Sequence, residues 1–576
     1  MNILGLNLRS HNASATLIQD GKLITSVEEE RLNREKFSWK FPHLSIEYSL
    51  KEAKIDYKDI DAVGIGWKSS ASVGKRLFHG FKRPTTLVTH LFNHIKNIYS
   101  ISRNPADVSK LPLRKDCKIV EVEHHLAHAS SCFFVSPFEE AAILTLDGHG
   151  EWATTLLAEG QNKNIAKIQE LYWPHSLGEF YRSFASYLGF PEFGDEYKVM
   201  GLAPYGKPKY VEKVRKIVSY NNKDLFKINS DYLKLRSFGF YKLLPQDYTK
   251  LFVETFGPMR LPSEELRECH NDIAHSVQIV LNEVALKVTE KLYDIVKSPN
   301  LCMAGGVALN CVMNQHILES SPFKNLFVQP ASNDAGVGFG AAYYLNHMVF
   351  GQERKFVQDH AYFGPSYSDS EIKKELDICQ LNYKKLDNTA SEVAKLLNEG
   401  KVIGWFQGRM EMGPRALGNR SIIAHPGLEN IKDIVNARIK FREEFRPFAP
   451  SILEEHTSDY FQLDTDSSPY MLMTAQTLKD KADRVSGIVH VDNSARIQTV
   501  NKESNPLYWD LINEFYKLSG TPVILNTSFN VKGEPIVCSP VDAIRCFYST
   551  GLDNLVIGNY LLSKQIHLEQ KNFKQI

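Results

Sequence analysis

The sequence predicts an α/β protein with an internal duplication, followed by a second α/β unit, and three observations predict it. A strand–turn–strand unit occurs twice with the same grammar. A long amphipathic stretch delivers a short apolar strand into a Gly-Gly turn. The periodicity then breaks in the polar, Gly- and Pro-containing residues 351–370, and a new α/β pattern begins at Glu371.

The first unit opens with the apolar residues 3–7, crosses a polar turn holding His11, continues through 15–18 and turns at Asp20-Gly21. The second opens with 143–147, passes Gly148-His149-Gly150, continues through 154–157 and is expected to turn at Glu159-Gly160. The order matches with a one-residue offset. Two such units, each opening an α/β half, are what an actin-like or sugar-kinase-like duplicated fold requires, its hairpins facing each other across a nucleotide cleft. A coincidence between two common hairpins is the alternative. Residues 29–36 read as a short charged helix, from which Lys36 reaches either a carboxylate or a nucleotide. Residues 271–297 carry Ile273, Val277, Val280, Leu281, Val284, Val288, Leu292 and Ile295 on one helical face. They lead to the strand 301–304, then to Gly305-Gly306 and Asn310, a turn whose amides suit a phosphate. Residues 337–343 read as a closely packed helix. Past the break, helices near 371–377 and 390–398 and strands at 402–406, 523–525 and 555–557 follow. The boundaries expected are 1–355 and 366–576.

The chain has 576 residues, a formal net charge of +1 and 43% hydrophobic content, which gives ample core and argues against a dominant nucleic-acid surface. The basic stretch from Lys75 to Lys96, with Arg76, Lys82 and Arg83, reads as a solvated face or an acceptor-side lid. None of the eight cysteines forms a Cys-x-x-Cys pair, and most lie in apolar contexts, as buried thiols of a reducing compartment do. No apolar run approaches a membrane span, and the N-terminus lacks a basic region and a cleavage site. A soluble cytoplasmic protein, with no membrane and no nucleic-acid partner, is expected.

Two groups of residues carry chemistry. His124 and His128 stand four apart, so on a helix their imidazoles share one face. Asp147 ends an apolar strand inside a glycine turn, and Asp334 sits in Ser332-Asn333-Asp334-Ala335-Gly336 with the same grammar. Two His and two Asp suit a divalent transition metal such as Fe, Mn or Zn. Taken singly, the pair is a polar helix face, Asp147 a turn and Asp334 an N-cap. The second group is basic: Arg409, Arg415, Arg420, Lys440, Arg442 and Arg446, joined by Arg496 and the polar loop around Ser528. Arginines held between Gly and Pro turns suit a bidentate grip on phosphate oxygens. An ion-pair network with Glu411, Glu443 and Glu444 is the competing reading.

At these residues the chain resembles the O-carbamoyltransferases of the nodulation-protein and antibiotic-tailoring family. The resemblance covers nearly the whole chain and rests on the His124–His128 run, Asp147-Gly148-x-Gly150-Glu151, the motif at 197–206, that at 304–310, Gly413-Pro414-Arg415-Ala416-Leu417-Gly418, and Arg442-Glu443-x-Phe445-Arg446-Pro447-Phe448-Ala449-Pro450. Asn12 departs from the pattern, in which Asp commonly follows the first-turn His. The resemblance implies an N-terminal domain similar to the universal tRNA-threonylcarbamoylation protein and a YrdC-like C-terminal domain. The latter would form carbamoyl adenylate from carbamoyl phosphate and ATP, with Mg, on Arg415, Lys440, Arg446, Arg496 and Ser528. In the former, His124, His128, Asp147 and Asp334 would hold Fe(II) or a like ion. Lys36, Gly148, Gly150, Glu151, Gly305, Gly306 and Asn310 would receive the adenylate, and His11 would orient or deprotonate a hydroxyl of a small-molecule acceptor, a turn residue capping backbone groups being the competing reading of His11. Residues 70–110 and 225–265 would shape the acceptor pocket, and a homodimer is a further expectation. Two other readings compete: a tRNA-threonylcarbamoylation enzyme, and a nucleotide-gated actin-like binding module.

Overall fold

The computed structural model describes residues 1–71, 106–233 and 248–564. The basic stretch from Lys75 to Lys96 lies outside the described residues, as do parts of both segments expected to shape an acceptor pocket.

Strands β1 (Asn2–Asn7), β2 (Ser14–Gln19), β3 (Lys22–Glu28), β4 (Ala62–Ile65) and β5 (Lys118–Glu121) form one sheet in the order β3-β2-β1-β4-β5. The first three are antiparallel, while β1, β4 and β5 run parallel. β6 (Glu140–Leu146), β7 (Ala153–Gln161) and β8 (Asn164–Tyr172) then form a second antiparallel meander. After a small ribbon of β9 (Val218–Asn221) and β10 (Leu225–Ile228), β11 (Asn300–Ala304) and β12 (Asn325–Val328) add to β6 in parallel. The second sheet therefore has the order β12-β11-β6-β7-β8. Counted from its own first strand, each sheet repeats one order and one set of directions. That repetition is the duplicated actin-like arrangement, and the two similar hairpins are the openings of its halves.

One detail of the repeat differs from expectation. Glu159-Gly160 is not a turn, because β7 continues to Gln161 and the chain reverses at Asn162-Lys163. Gly160 is small for another reason: a Cβ there would lie 2.6 Å from the Phe133 ring. In the first hairpin Asp20 and Gly21 do form the turn, with φ of 49° and 82°, as a two-residue hairpin loop needs.

Close packing carries the chemistry into place. Helix Ala335–Tyr344 starts after β12 and lies on helix His124–Phe133, and a Cβ on Gly340 would come 1.8 Å from the Ala127 carbonyl oxygen. Only a glycine lets the two backbones approach so nearly. The approach brings Asp334, just before one helix, against the imidazoles of the other. The 29-residue helix Glu268–Val296 buries Ile273, Val277, Val280, Leu281, Val284, Val288 and Leu292 against the second half. Ile295, expected on that face, is exposed in the last turn of the helix. Among the described residues no helix is long and apolar enough to cross a membrane.

The C-terminal part is a mixed eight-stranded sheet. Its strands are β13 (Lys384–Lys385), β14 (Ile403–Phe406), β15 (Arg420–Ala424), β16 (Ala449–Leu453), β20 (Gln498–Val500), β21 (Val523–Ser528), β22 (Asn554–Ile557) and β23 (Tyr560–Ser563); β17 (Phe461–Gln462), β18 (Thr474–Thr477) and β19 (Ser494–Arg496) form a smaller sheet beside it. Side chains alternate across β14. Trp405 packs with Val393, Leu397, Ile512 and Phe515 on one face, and Phe406 with Ile372, Ile544 and Phe547 on the other. Met412, Leu417, Ala449 and Leu472 belong to the same hydrophobic core as the N-terminal sheets. The two parts of the chain are thus packed together, not tethered.

Candidate metal centre and arginine cluster

Helix His124–Phe133 presents two faces. His124 and His128 are fully buried, and their Nε2 atoms lie 3.1 Å apart. His125 points the other way: its ring nitrogens meet Thr145 Oγ1 at 2.6 Å and the Ala153 carbonyl at 3.0 Å, pinning the helix to β6 and β7. Burial, with His124 and His128 nearby, pushes His125 down to about 3, so it is neutral. Glu151 accepts from the backbone N–H of His124 and of Lys68, which holds the N-terminus of this helix. A Cβ on Gly150 would lie 2.7 Å from the His124 side chain.

Asp147 and Asp334 close the quartet. The Gly306 N–H donates to Asp147 Oδ1 at 2.9 Å, which turns Oδ2 to within 3.3 Å of His124 Nε2 and 3.8 Å of His128 Nε2. Ser176 Oγ donates to the Asp147 and Gly148 carbonyls and fixes the turn from below. Asp334 occupies the N-cap position of helix Ala335–Tyr344 but makes no side-chain cap. Its Oδ1 lies 3.6 Å from His124 Nε2 and 3.7 Å from His128 Nε2, and its Oδ2 lies 3.5 Å from His11 Nε2. One ligand atom from each of His124, His128, Asp147 and Asp334 lies within 4.8 Å of all the others.

The electrostatics suit a cation. Burial would raise the Asp334 and Asp147 carboxyls, yet the facing imidazoles hold Asp334 well below the usual range and Asp147 at about 2. Burial would lower His124, but Asp334 and Asp147 raise it well above an ordinary imidazole. Asp334 Oδ1 is buried and accepts no hydrogen bond within the protein. Two ionised carboxylates and two convergent imidazoles are a donor set for a borderline divalent ion. The Nδ1 atoms of both imidazoles meet no protein acceptor, so the rings are held by the helix and by walls such as Trp67, 5.5 Å from His124.

The residues proposed for an adenylate divide. Gly148, Gly150, Gly306 and Glu151 line or brace the quartet, as above. Gly305, at φ 93°, packs its backbone on the Leu146 carbonyl. Asn310 caps helix Cys311–Ser320 and exchanges hydrogen bonds with Gln278. Lys36 is exposed, its ammonium 5.0 Å above the Phe37 ring.

The basic set also divides. Arg409 donates to the Ile24 and Phe363 carbonyls, and the fully buried Arg420 donates to the Gln407, Asn419 and Pro365 carbonyls. Both serve the backbone. Arg415, Arg442, Arg446 and Arg496 instead crowd one another. Burial, with Arg496 close by, pushes Arg415 down to about 9. Burial and then Arg446 depress Arg442 strongly. The Nε atoms of Arg415 and Arg496 are buried without a protein acceptor. Lys440 donates to the Ser528 and Asn530 carbonyls and to their side-chain oxygens, and burial followed by Arg442 lowers it well below an ordinary lysine. Of the carboxylates in the competing ion-pair reading, Glu411 accepts from the backbone of Leu417, Asn419 and Arg420, while Glu443 pairs with Arg446 and Lys198. Positive charge is left over, and that excess suits a polyanion.

Sequence reasoning missed what joins these groups. Tyr197, below Arg446 at 4.5 Å, and Lys198, bridging Asp195 and Glu443, bring the N-terminal part up to the arginines. Asn7 donates from one amide to the carbonyls of His11, Asn12 and Asp334. The sequence marked Tyr197 and Lys198 only as the start of the motif at 197–206, without this role, and no spacing announces the contacts of Asn7.

Family models match this chain along most of its length: "Carbamoyltransferase N-terminus" over residues 2–343 and "Carbamoyltransferase C-terminus" over 394–564. An uncharacterized Synechocystis protein, sll1178, is 40% identical over 98% of this chain and 96% of its own. The nodulation protein NolNO of Sinorhizobium fredii is 38% identical over 97% of this chain and 80% of its own, and NolO of Bradyrhizobium diazoefficiens is 38% identical over 77% and 79%. The chain belongs to the carbamoyltransferase family and is a carbamoyltransferase enzyme.

Proposed function

We propose that this carbamoyltransferase is ATP-dependent and works at two centres. At the arginine cluster, water hydrolyses carbamoyl phosphate to carbamate and phosphate, and carbamate attacks the α-phosphorus of ATP to give carbamoyl adenylate and pyrophosphate. Arg415, Arg446 and Arg496 grip the phosphates, and Lys440 with Ser528 orders the loop after β21. This assignment extends to a YrdC-like role for the C-terminal part and to Mg with the ATP. The carbamoyl group then passes to a hydroxyl of a small-molecule acceptor, with release of AMP, at the quartet.

The observation that carries the reading is the convergence of His124, His128, Asp147 and Asp334 within 4.8 Å in a chain of this family. Those residues would hold iron(II), or manganese or zinc in its place, and the ion would supply Lewis acidity toward a carbonyl that its own nitrogen makes a poor electrophile. His11, with Nε2 3.5 Å from Asp334, is the group positioned to take the acceptor proton. Gly306 and Ser176 keep the Asp147 turn rigid while that happens.

Incubation with ATP, carbamoyl phosphate and a panel of hydroxylated metabolites, followed by mass spectrometry, tests the proposal. A carbamoyl mass gain that requires both ATP and carbamoyl phosphate is expected. Use of threonine and bicarbonate to make an adenylate instead would favour the tRNA-modifying alternative. ATP hydrolysis indifferent to carbamoyl phosphate would favour the binding module.

A further inference from the structure

The departure at Asn12 has a structural partner. Asn12, at φ 58°, turns its side chain back so that Oδ1 lies 2.7 Å from His11 Nδ1. Its Nδ2 donates to Glu28 Oε2 at 3.3 Å, at the end of β3. The other Glu28 oxygen accepts from the backbone N–H of Gly413 at 3.1 Å. Arg31 spans both Glu28 oxygens and donates to the Gly413 carbonyl at 3.0 Å. Asn12, Glu28 and Arg31 are all buried. Gly413 opens the loop that carries Arg415.

Hydrogen-bond direction propagates along this chain. A carboxylate only accepts, so the Asn12 amide must give its NH2 to Glu28 and its oxygen to His11. The His11 ring must then donate from Nδ1, and in the neutral ring that a base requires this leaves Nε2 as the bare nitrogen, 3.5 Å from Asp334. We propose that Asn12 and Glu28 are positioning residues that fix the ring orientation and tautomer of His11, and that Glu28 ties this setting to the Arg415 loop through Gly413. The proposal rests on reading His11 as the acceptor-side base. It explains how a chain with Asn at this position keeps a directed imidazole: the direction comes from Glu28.

The test reads the tautomer directly and needs no acceptor. Protein loaded with diamagnetic zinc and carrying ring-15N histidine is compared by NMR with His11→Gln, which assigns the His11 signals. The wild type should show a protonated-type Nδ1 and a bare-type Nε2. In Glu28→Gln, one side-chain oxygen must serve the donors that two carboxylate oxygens served, Gly413, Arg31 and Asn12. Turning the Asn12 amide over costs less than leaving the buried Gly413 N–H unpaired, so the tautomer should invert. In Asn12→Ala the two ring nitrogens should lose their distinct character. Unchanged zinc content in each variant shows that the quartet is intact. A wild-type ring protonated at Nε2, or a Glu28→Gln spectrum like the wild type, would overturn the proposal and leave the carbamoyl-transfer reading untouched. Should Glu28→Gln not fold, Asn12→Ala against Asn12→Asp decides. Asp keeps an acceptor for Nδ1 and should retain the wild-type pattern, and equal spectra for the two would count against a role for Asn12.

Discussion

At the quartet, imidazoles stand against carboxylates; at the C-terminal cluster, guanidinium stands against guanidinium. In the first region unlike groups face one another, with Asp147 kept at about 2 and His124 raised. In the second each group opposes its neighbour, and Arg415 falls to about 9. Burial is common to both, so the sign of the partners makes the difference. One region offers a donor set that could hold a cation and brings unlike charges together. The other keeps half-buried like charges side by side, a repulsion that an anion would relieve.

The comparison breaks most visibly if the regions prove inseparable. Asp147→Ala should abolish carbamoyl transfer while ATP-dependent pyrophosphate release stays largely intact; loss of both in a coupled pyrophosphate assay would argue against separate centres. Arg446→Ala should do the reverse. Pyrophosphate release should fall about 100- to 1000-fold, as for removal of one transition-state donor, yet supplied carbamoyl adenylate should still be consumed. Normal ATP turnover in that variant would take Arg446 out of the site.

Gly150→Ala sharpens the contrast at the quartet alone. Its new Cβ meets the His124 side chain at 2.7 Å. Metal affinity should drop roughly 10- to 100-fold, the usual cost of disturbing a ligand's support, in a chelator competition. Arg415→Met sharpens it at the cluster. Without an anion this variant should be more stable to urea by about 1 kcal/mol, because a half-buried guanidinium set beside like charges is gone. ATP should stabilise the wild type and not the variant. A clear loss of stability in the variant without ATP would mean that Arg415 is paired more fully than its surroundings indicate.

The sequence was most legible where chemistry and periodicity coincide. Two hairpins with one grammar announced the duplication, and His124 and His128, four apart on a helix, announced a shared face. Asp147 was readable as an acid ending a strand at a glycine turn; Asp334 shares the acid-and-glycine grammar but lies beyond β12, at the start of a helix. Glycines misled. Gly160 resembled a turn but makes room for Phe133, and Gly150, read as part of a phosphate cradle, also lies hard against His124. Close approach and tight turning demand the same residue, and one sequence does not distinguish them. Arginines misled in the same way. Arg409 and Arg420 look like Arg415 in the sequence, but they answer backbone carbonyls brought near by the fold. Asn7 and Glu28 were illegible because their partners lie hundreds of residues away, at Asp334 and Gly413.

The account depends on a single ion shared by four side chains, and anomalous diffraction at the metal absorption edge from crystals of the metal-loaded protein tests that directly. One strong peak is expected, about 2.0–2.2 Å from the imidazole nitrogens of His124 and His128 and from carboxylate oxygens of Asp147 and Asp334. A peak bound elsewhere, or a loaded protein with no peak among these four residues, would contradict it.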